Sequence, residues 1–223
     1  MSWEKDLVVL GADDDLLAVV RTVVVERTAS LGIKPPNIAL ADFVKDVWHD
    51  SSPAANAVTL LRKFQKTHHR AFVIRDLEGS GCETDGAASL EETISQALVR
   101  SGWERERICV IVIEPELEIW LRFESQHLER MLQTKSKDQK SCSQINFAKR
   151  LAEIVGRNGG MVEGKPSRPK EVLEGLLRTY RVPWSSSLFE HLAQKESLKT
   201  CVTPSFNRLL SVLRDWFGGN QNA

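Results

Sequence analysis

The sequence predicts an α/β fold, with a four-stranded, mostly parallel sheet flanked by helices and an α-helical region after it. Three observations carry this. Short, continuous apolar runs recur through the first half of the chain, as in Leu7-Val8-Val9-Leu10 and Ile108-Cys109-Val110-Ile111-Val112-Ile113. Such runs suit strands buried on both faces. Helix-length segments separate them, which implies right-handed βαβ units. After about residue 132 the strand-like runs stop and helical periodicity takes over, so the chain divides into an α/β domain over 1–132 and a helical region over 133–223.

In order, the first strand is Leu7-Val8-Val9-Leu10, stopped by Gly11. Asp13-Asp14-Asp15 opens a helix over 16–29, where acidic residues in the first turn suit the helix dipole. A weak second strand is expected over 37–40 and a helix over 53–67. The basic run Lys63, Lys66, His68, His69 and Arg70 reads as the solvated end of that helix. The third strand, 70–75, runs into Asp76-Leu77-Glu78-Gly79. Ser89, with Glu92 three residues on, reads as the capping box of a helix over 90–100. The fourth strand, Ile108 to Ile113, ends at Glu114-Pro115, and a helix is expected over 116–131. Residues 133–143, polar and rich in Lys and Ser, read as a linker. Helices are then expected over 145–155, 169–180, 186–194 and 204–217.

Composition narrows the function. The chain has 223 residues, 42% hydrophobic and 27% charged, as in ordinary globular proteins. Its 30 basic and 30 acidic residues cancel, so it is not basic as a whole in the way of a nucleic-acid coat, although Lys135, Lys137, Lys140, Lys149, Arg150, Arg157, Lys165, Arg168 and Lys170 give the helical region a basic side, which reads as a backbone-tracking groove or as a solvated face. The four cysteines are far apart with no CxxC pair, which argues against a zinc ribbon. The polar opening Met1-Ser2-Trp3-Glu4-Lys5-Asp6 and the absence of an apolar run near the roughly 20 residues that span a bilayer point to a cytoplasmic protein with no membrane partner.

In an open parallel sheet, sites form at the carboxyl ends of the strands. Those ends deliver Asp13, Asp14 and Asp15 after strand one, Asp76 and Glu78 after strand three, and Glu114, Glu116 and Glu118 after strand four. Crowded carboxylates repel unless a cation sits among them, and hard oxygen ligands suit Mg²⁺ or Mn²⁺. Phosphoryl transfer is the chemistry such a site most often serves. The plain alternative is that these acids cap helices or are solvated, and Asp13 to Asp15 fit that description too.

The pattern resembles the Toprim domain of topoisomerases, primases and OLD-type nucleases. Asp76-Leu77-Glu78 stands where that family has Asp-x-Asp after its third strand. Glu114-Pro115-Glu116-Leu117-Glu118-Ile119-Trp120-Leu121 and Thr203-Pro204-Ser205-Phe206 are similar to signatures of small Toprim-like proteins in bacterial defence loci. The family's Glu after strand one is replaced by Gly11-Ala12-Asp13-Asp14. The resemblance implies a Mg²⁺-dependent nuclease or phosphodiesterase in anti-phage defence. Asp76, Glu78, Asp13 and Asp14 would be catalytic, and Asp76, Glu78, Glu114 and Glu116 would hold the metal. It equally admits a non-catalytic subunit that binds another defence protein or nucleic acid, alone or as an oligomer. Glu118 and Trp120 are expected to be structural, with Trp120 in the core.

Overall fold

The computed structural model describes residues 3–48, 52–137, 144–198, 201 and 203–219. Four parallel strands form the sheet: β1 Lys5–Gly11, β2 Phe43–Lys45, β3 His68–Asp76 and β4 Ile108–Ile113, in the order β2-β1-β3-β4. Val9 lies opposite Phe43 on one side and Phe72 on the other, and Phe72 lies opposite Cys109. From β1 the chain crosses outward to β2, whereas from β3 it crosses the opposite way to β4. The carboxyl ends of β1 and β3 therefore flank a switch point, where an open sheet leaves a crevice.

Strand alternation splits the core into two layers. Val8, Leu10, Ala71, Val73, Val110 and Val112 face helices α3 (Pro53–Leu61) and α4 (Gly86–Arg100). Leu7, Val9, Phe72, Ile74, Ile111 and Ile113 face α1 (Asp14–Arg21). On that second face the apolar cluster continues without a break through the carboxyl-terminal helices, including Leu173, Tyr180, Phe189, Leu209 and Phe217. These helices are α5 Gln126–Lys135, α6 Phe147–Arg157, α7 Pro169–Tyr180, α8 Ser186–Lys195 and α9 Pro204–Phe217. They cover one sheet face, and α9 reaches the edge strand β4. There the Glu91 carboxylate accepts from the Val112 N–H at 2.8 Å, and Arg208 donates to the Val110 carbonyl and pairs with Glu91.

Several elements differ from the expectation, each for a local reason. The second strand forms at Phe43–Lys45 and not at 37–40. The Asn37 N–H donates to the Asp6 carboxylate at 2.6 Å and the Ala39 N–H to Asp42 at 2.6 Å, which hold that stretch in a loop and a short 3₁₀ turn. The first helix is interrupted by a π-helical segment, Thr22–Glu26, before the single turn α2, Thr28–Leu31. There the β-branched run Thr22-Val23-Val24-Val25 crowds the helix, and the Thr22 hydroxyl donates to the Ala18 carbonyl at 2.9 Å.

The helix expected over 53–67 ends at Leu61, with a 3₁₀ turn to Phe64. The helix expected from Leu90 begins at Gly86, because Ala87 and Ala88 extend it upstream of Ser89, and Glu92 pairs with Arg105 at 2.7 Å in place of capping. The helix expected over 116–131 is a 3₁₀ turn, Leu117–Trp120, and then α5, which Ser125 caps by accepting from the Leu128 N–H at 3.0 Å. The first part of the expected linker lies within α5, and 138–143 lie outside the described residues. The helical region also holds a hairpin, β5 Met161–Val162 and β6 Lys165–Pro166. Its turn residues Glu163 and Gly164 have φ of 49° and 78°, as a two-residue hairpin requires.

Of the basic run, Lys63 and Lys66 are exposed at the end of the helical segment as expected, but His68, His69 and Arg70 belong to β3. His68 is buried with its Nε2 3.1 Å from the Asp42 carboxylate, and Arg70 stacks over the rings of Trp216 and Phe217. Among the described residues no helix is long and apolar enough to cross a membrane.

Candidate active site at the carboxyl edge of the sheet

Each of the first three acidic positions after β1 has its own surroundings. Asp13 is the N-cap of α1: its Oδ1 accepts from the Leu16 N–H at 2.8 Å. Burial holds its carboxyl above the usual range, and the cap bond opposes that rise. Asp14 is exposed and pairs with Lys45 at 2.6 Å. Asp15 accepts from Trp184 Nε1 at 2.7 Å and from the Ser186 hydroxyl at 2.5 Å, which ties α1 to the carboxyl-terminal helices. Only Asp13 turns toward the crevice.

Asp76 ends β3 on the sheet face that α1 and α7 cover. Its Oδ1 is fully buried and has no hydrogen-bond partner among the described residues. Burial pushes this carboxyl well above the usual carboxylate range, and the charges of Asp13, Glu118 and Glu116 push it further, with Lys170 opposing them. Glu116 and Glu118, from the turn after β4, are 3% and 4% exposed. Burial raises Glu116, against the pull of Lys170, whose Nζ stands 3.3 Å from Glu116 Oε2. Burial and the neighbouring Glu116 push Glu118 up to about 8.

Of the expected site residues, the structure brings together Asp13, Asp76 and Glu116. Glu78 is exposed on the loop after β3 and acts electrostatically on Glu116, since the Glu78 N–H donates to the Pro115 carbonyl at 3.0 Å. Asp14 and Glu114 are exposed and are not among the charges that perturb Asp76. Trp120 is core, as expected; its ring meets Phe206 edge-on and its indole N–H donates to Ser205 at 2.9 Å.

Sequence reading misses three contributors. Glu118 is expected among the strand-end acids but with a structural role, whereas the 3₁₀ turn buries it beside Glu116. Lys170, at the start of α7, arrives from a distant stretch of chain with no local motif. Asp46 escapes notice when β2 is placed too early; it completes the set of strand-end acids, but Arg75 at 3.8 Å and Asn56 at 3.2 Å already hold it.

Among the described residues no three His, Cys, Asp or Glu side chains stand as a ready metal-holding group. Mg²⁺ commonly takes one or two carboxylates and completes its shell with water and phosphate. Asp76, whose Oδ1 has no hydrogen-bond partner among the described residues, and Glu116 are the two buried carboxyls such an ion would use. Comparison of the chain with protein-family models, curated proteins and solved structures finds no match to any of them.

Proposed function

We propose that the chain is a Mg²⁺- or Mn²⁺-dependent phosphodiesterase of the Toprim type, a cytoplasmic nuclease of bacterial anti-phage defence. The observation that carries the reading is Asp76 Oδ1, buried and without a hydrogen-bond partner among the described residues, at a switch point where Asp13, Glu116 and Glu118 add negative charge. Four carboxyls held above their ordinary pKa are poorly compensated by protein groups alone, and a divalent cation is the partner that would relieve them.

Asp76 and Glu116 would hold the ion, and Glu78 would join them from the loop. When bound, the ion supplies charge compensation to a phosphate group. Lys170 orients Glu116 and offers its remaining ammonium hydrogens to a phosphate oxygen. Asp13, fixed by its cap bond to Leu16, would accept a proton from an attacking water. Glu118, buried beside Glu116, adds to the charge the ion would compensate.

Isothermal titration with Mn²⁺, on the wild type and on Asp76→Asn, tests the metal centre. Cleavage of labelled DNA and RNA by the same two proteins tests the chemistry. Binding and cleavage should both be lost in Asp76→Asn while the fold persists. Wild-type affinity and cleavage in that variant would overturn the reading.

A second reading has its own support. Lys170 is a resident counter-charge for Glu116, and the family's Glu after strand one is absent. A protein-binding defence subunit built on the same sheet fits those two facts. It predicts neither Mn²⁺ binding nor cleavage by the isolated chain.

A further inference from the structure

The first turn of α1 sends three consecutive carboxylates in three directions, because successive residues of a helix advance about 100° around its axis. Asp13 faces the crevice at Asp76. Asp14 reaches Lys45, the last residue of β2, at 2.6 Å. Asp15 holds the indole N–H of Trp184 at 2.7 Å. Three residues beyond Lys45 stands Trp48, whose backbone N–H donates to Asp46 at 3.1 Å. Trp184 thus stands beside α1, and Trp48 follows β2 at the same carboxyl edge of the sheet.

Both rings meet solvent where large aromatic side chains usually do not: Trp48 is 49% exposed and Trp184 is 37% exposed. Val47, beside Trp48, is 60% exposed. Trp184 is nonetheless fixed, by its bond to Asp15 and by the Phe189 ring 5.5 Å away. A ring held in place with part of its surface open loses little freedom when another ring lies against it.

We propose that Trp48 and Trp184 are stacking platforms for the unpaired bases of a single-stranded nucleic acid. This inference rests on the reading of the Asp13–Asp76 crevice as a phosphate-handling site, and it names the substrate class. Bases of an intact duplex are stacked on one another and their faces are not offered to protein rings. Single strands offer every base face, whatever the sequence.

The test is fluorescence anisotropy with a fluorescein-labelled oligothymidine, alone and annealed to oligoadenosine, with Mg²⁺ present and the strand's integrity tracked on a denaturing gel. The wild type should bind the single strand at least tenfold more tightly than the duplex, and Trp48→Ala should lose about tenfold, the scale of one base–aromatic stack. Trp184→Ala should lose a similar factor, with its melting curve checked because Trp184 also packs on Phe189. Trp48 is the more exposed of the two rings, and its variant decides the matter. Equal affinity for strand and duplex, no measurable binding of either, or an unchanged Trp48→Ala, would overturn the proposal. A strand that is bound through Trp48 but stays intact would sink the phosphodiesterase reading and leave the stacking platforms standing.

Discussion

After burial itself, the Asp13 carboxylate just past β1 is the largest influence raising the pKa of Asp76 at the end of β3. They stand at the carboxyl ends of adjacent parallel strands, where the crossovers from β1 and β3 leave in opposite directions. The acidic crevice is thus a product of strand order. A sheet in which β1 and β3 were not neighbours would scatter the same residues.

Glu118 makes that crevice a source of pH-dependent instability. Its folded pKa of about 8 lies above the ordinary 4.5, so the folded state binds more protons than the unfolded state between those values. Stability then falls as pH rises from about 4.5 to about 8, by up to a few kcal/mol. Glu118→Gln should flatten that slope and raise the melting temperature at pH 8 while leaving it nearly unchanged at pH 4. Melting curves across that range check the prediction, and a wild-type slope in the variant would refute it. Mn²⁺, if it binds as proposed, should restore wild-type stability at pH 8 without affecting the variant as strongly.

Lys170 offsets part of that cost at Glu116. The pair is unequal, with the Lys170 side chain 51% exposed and the Glu116 side chain 4% exposed. Removing the lysine leaves a buried carboxylate without its cation, while the lysine's own solvation limits what is lost. Lys170→Ala should therefore destabilise by about 1 kcal/mol at pH 8. The loss should shrink at pH 5, where the raised Glu116 carboxyl takes up a proton more readily. A denaturant titration at the two pH values measures the difference.

How far the sequence reveals this arrangement can be traced residue by residue. β4 is fully legible, since six consecutive apolar residues ended by Glu114-Pro115 leave little choice, and α7 and α9 are legible because Pro169 and Pro204 mark their first turns. β2 is misplaced because its position depends on side-chain bonds from Asp6 and Asp42 that no local pattern announces. Asp13, Asp76 and Glu116 can be found from the sequence alone, because each lies within a few residues of a strand's carboxyl end. Glu118 lies there too, but its part in the crevice depends on the 3₁₀ turn that buries it, and Lys170 requires knowing how α7 docks on the sheet.

The α6–α7 crossing depends on a missing methyl group. A Cβ built on Gly175 would stand 2.8 Å from Ile154 Cγ2, closer than carbon atoms pack. Alanine would otherwise favour a helix interior by about 1 kcal/mol. In Gly175→Ala the clash outweighs that gain, because Ile154 is buried in the core and has little room to move. A net loss of about 1–2 kcal/mol in chemical denaturation is expected. The double variant Gly175→Ala, Ile154→Val should recover most of it, and a stabilised single variant would contradict the close crossing.

The edge of β4 is closed by two side chains in place of another strand. Glu91 accepts from the Val112 N–H and Arg208 donates to the Val110 carbonyl, and the two side chains pair with each other. An open parallel edge strand of six buried apolar residues would otherwise be a template for pairing with a second chain. Arg208→Ala leaves the Val110 carbonyl and the Glu91 carboxylate short of a donor, at a cost of about 1–3 kcal/mol. It also exposes the edge. The variant should therefore melt earlier and form light-scattering aggregates at concentrations where the wild type stays clear. Arg208→Lys, which keeps the charge but not the forked donor, should recover part of the stability and less of the edge protection. If Arg208→Ala melts earlier without added scattering, the pair would be a stabilising contact and the edge would be guarded by α9 itself.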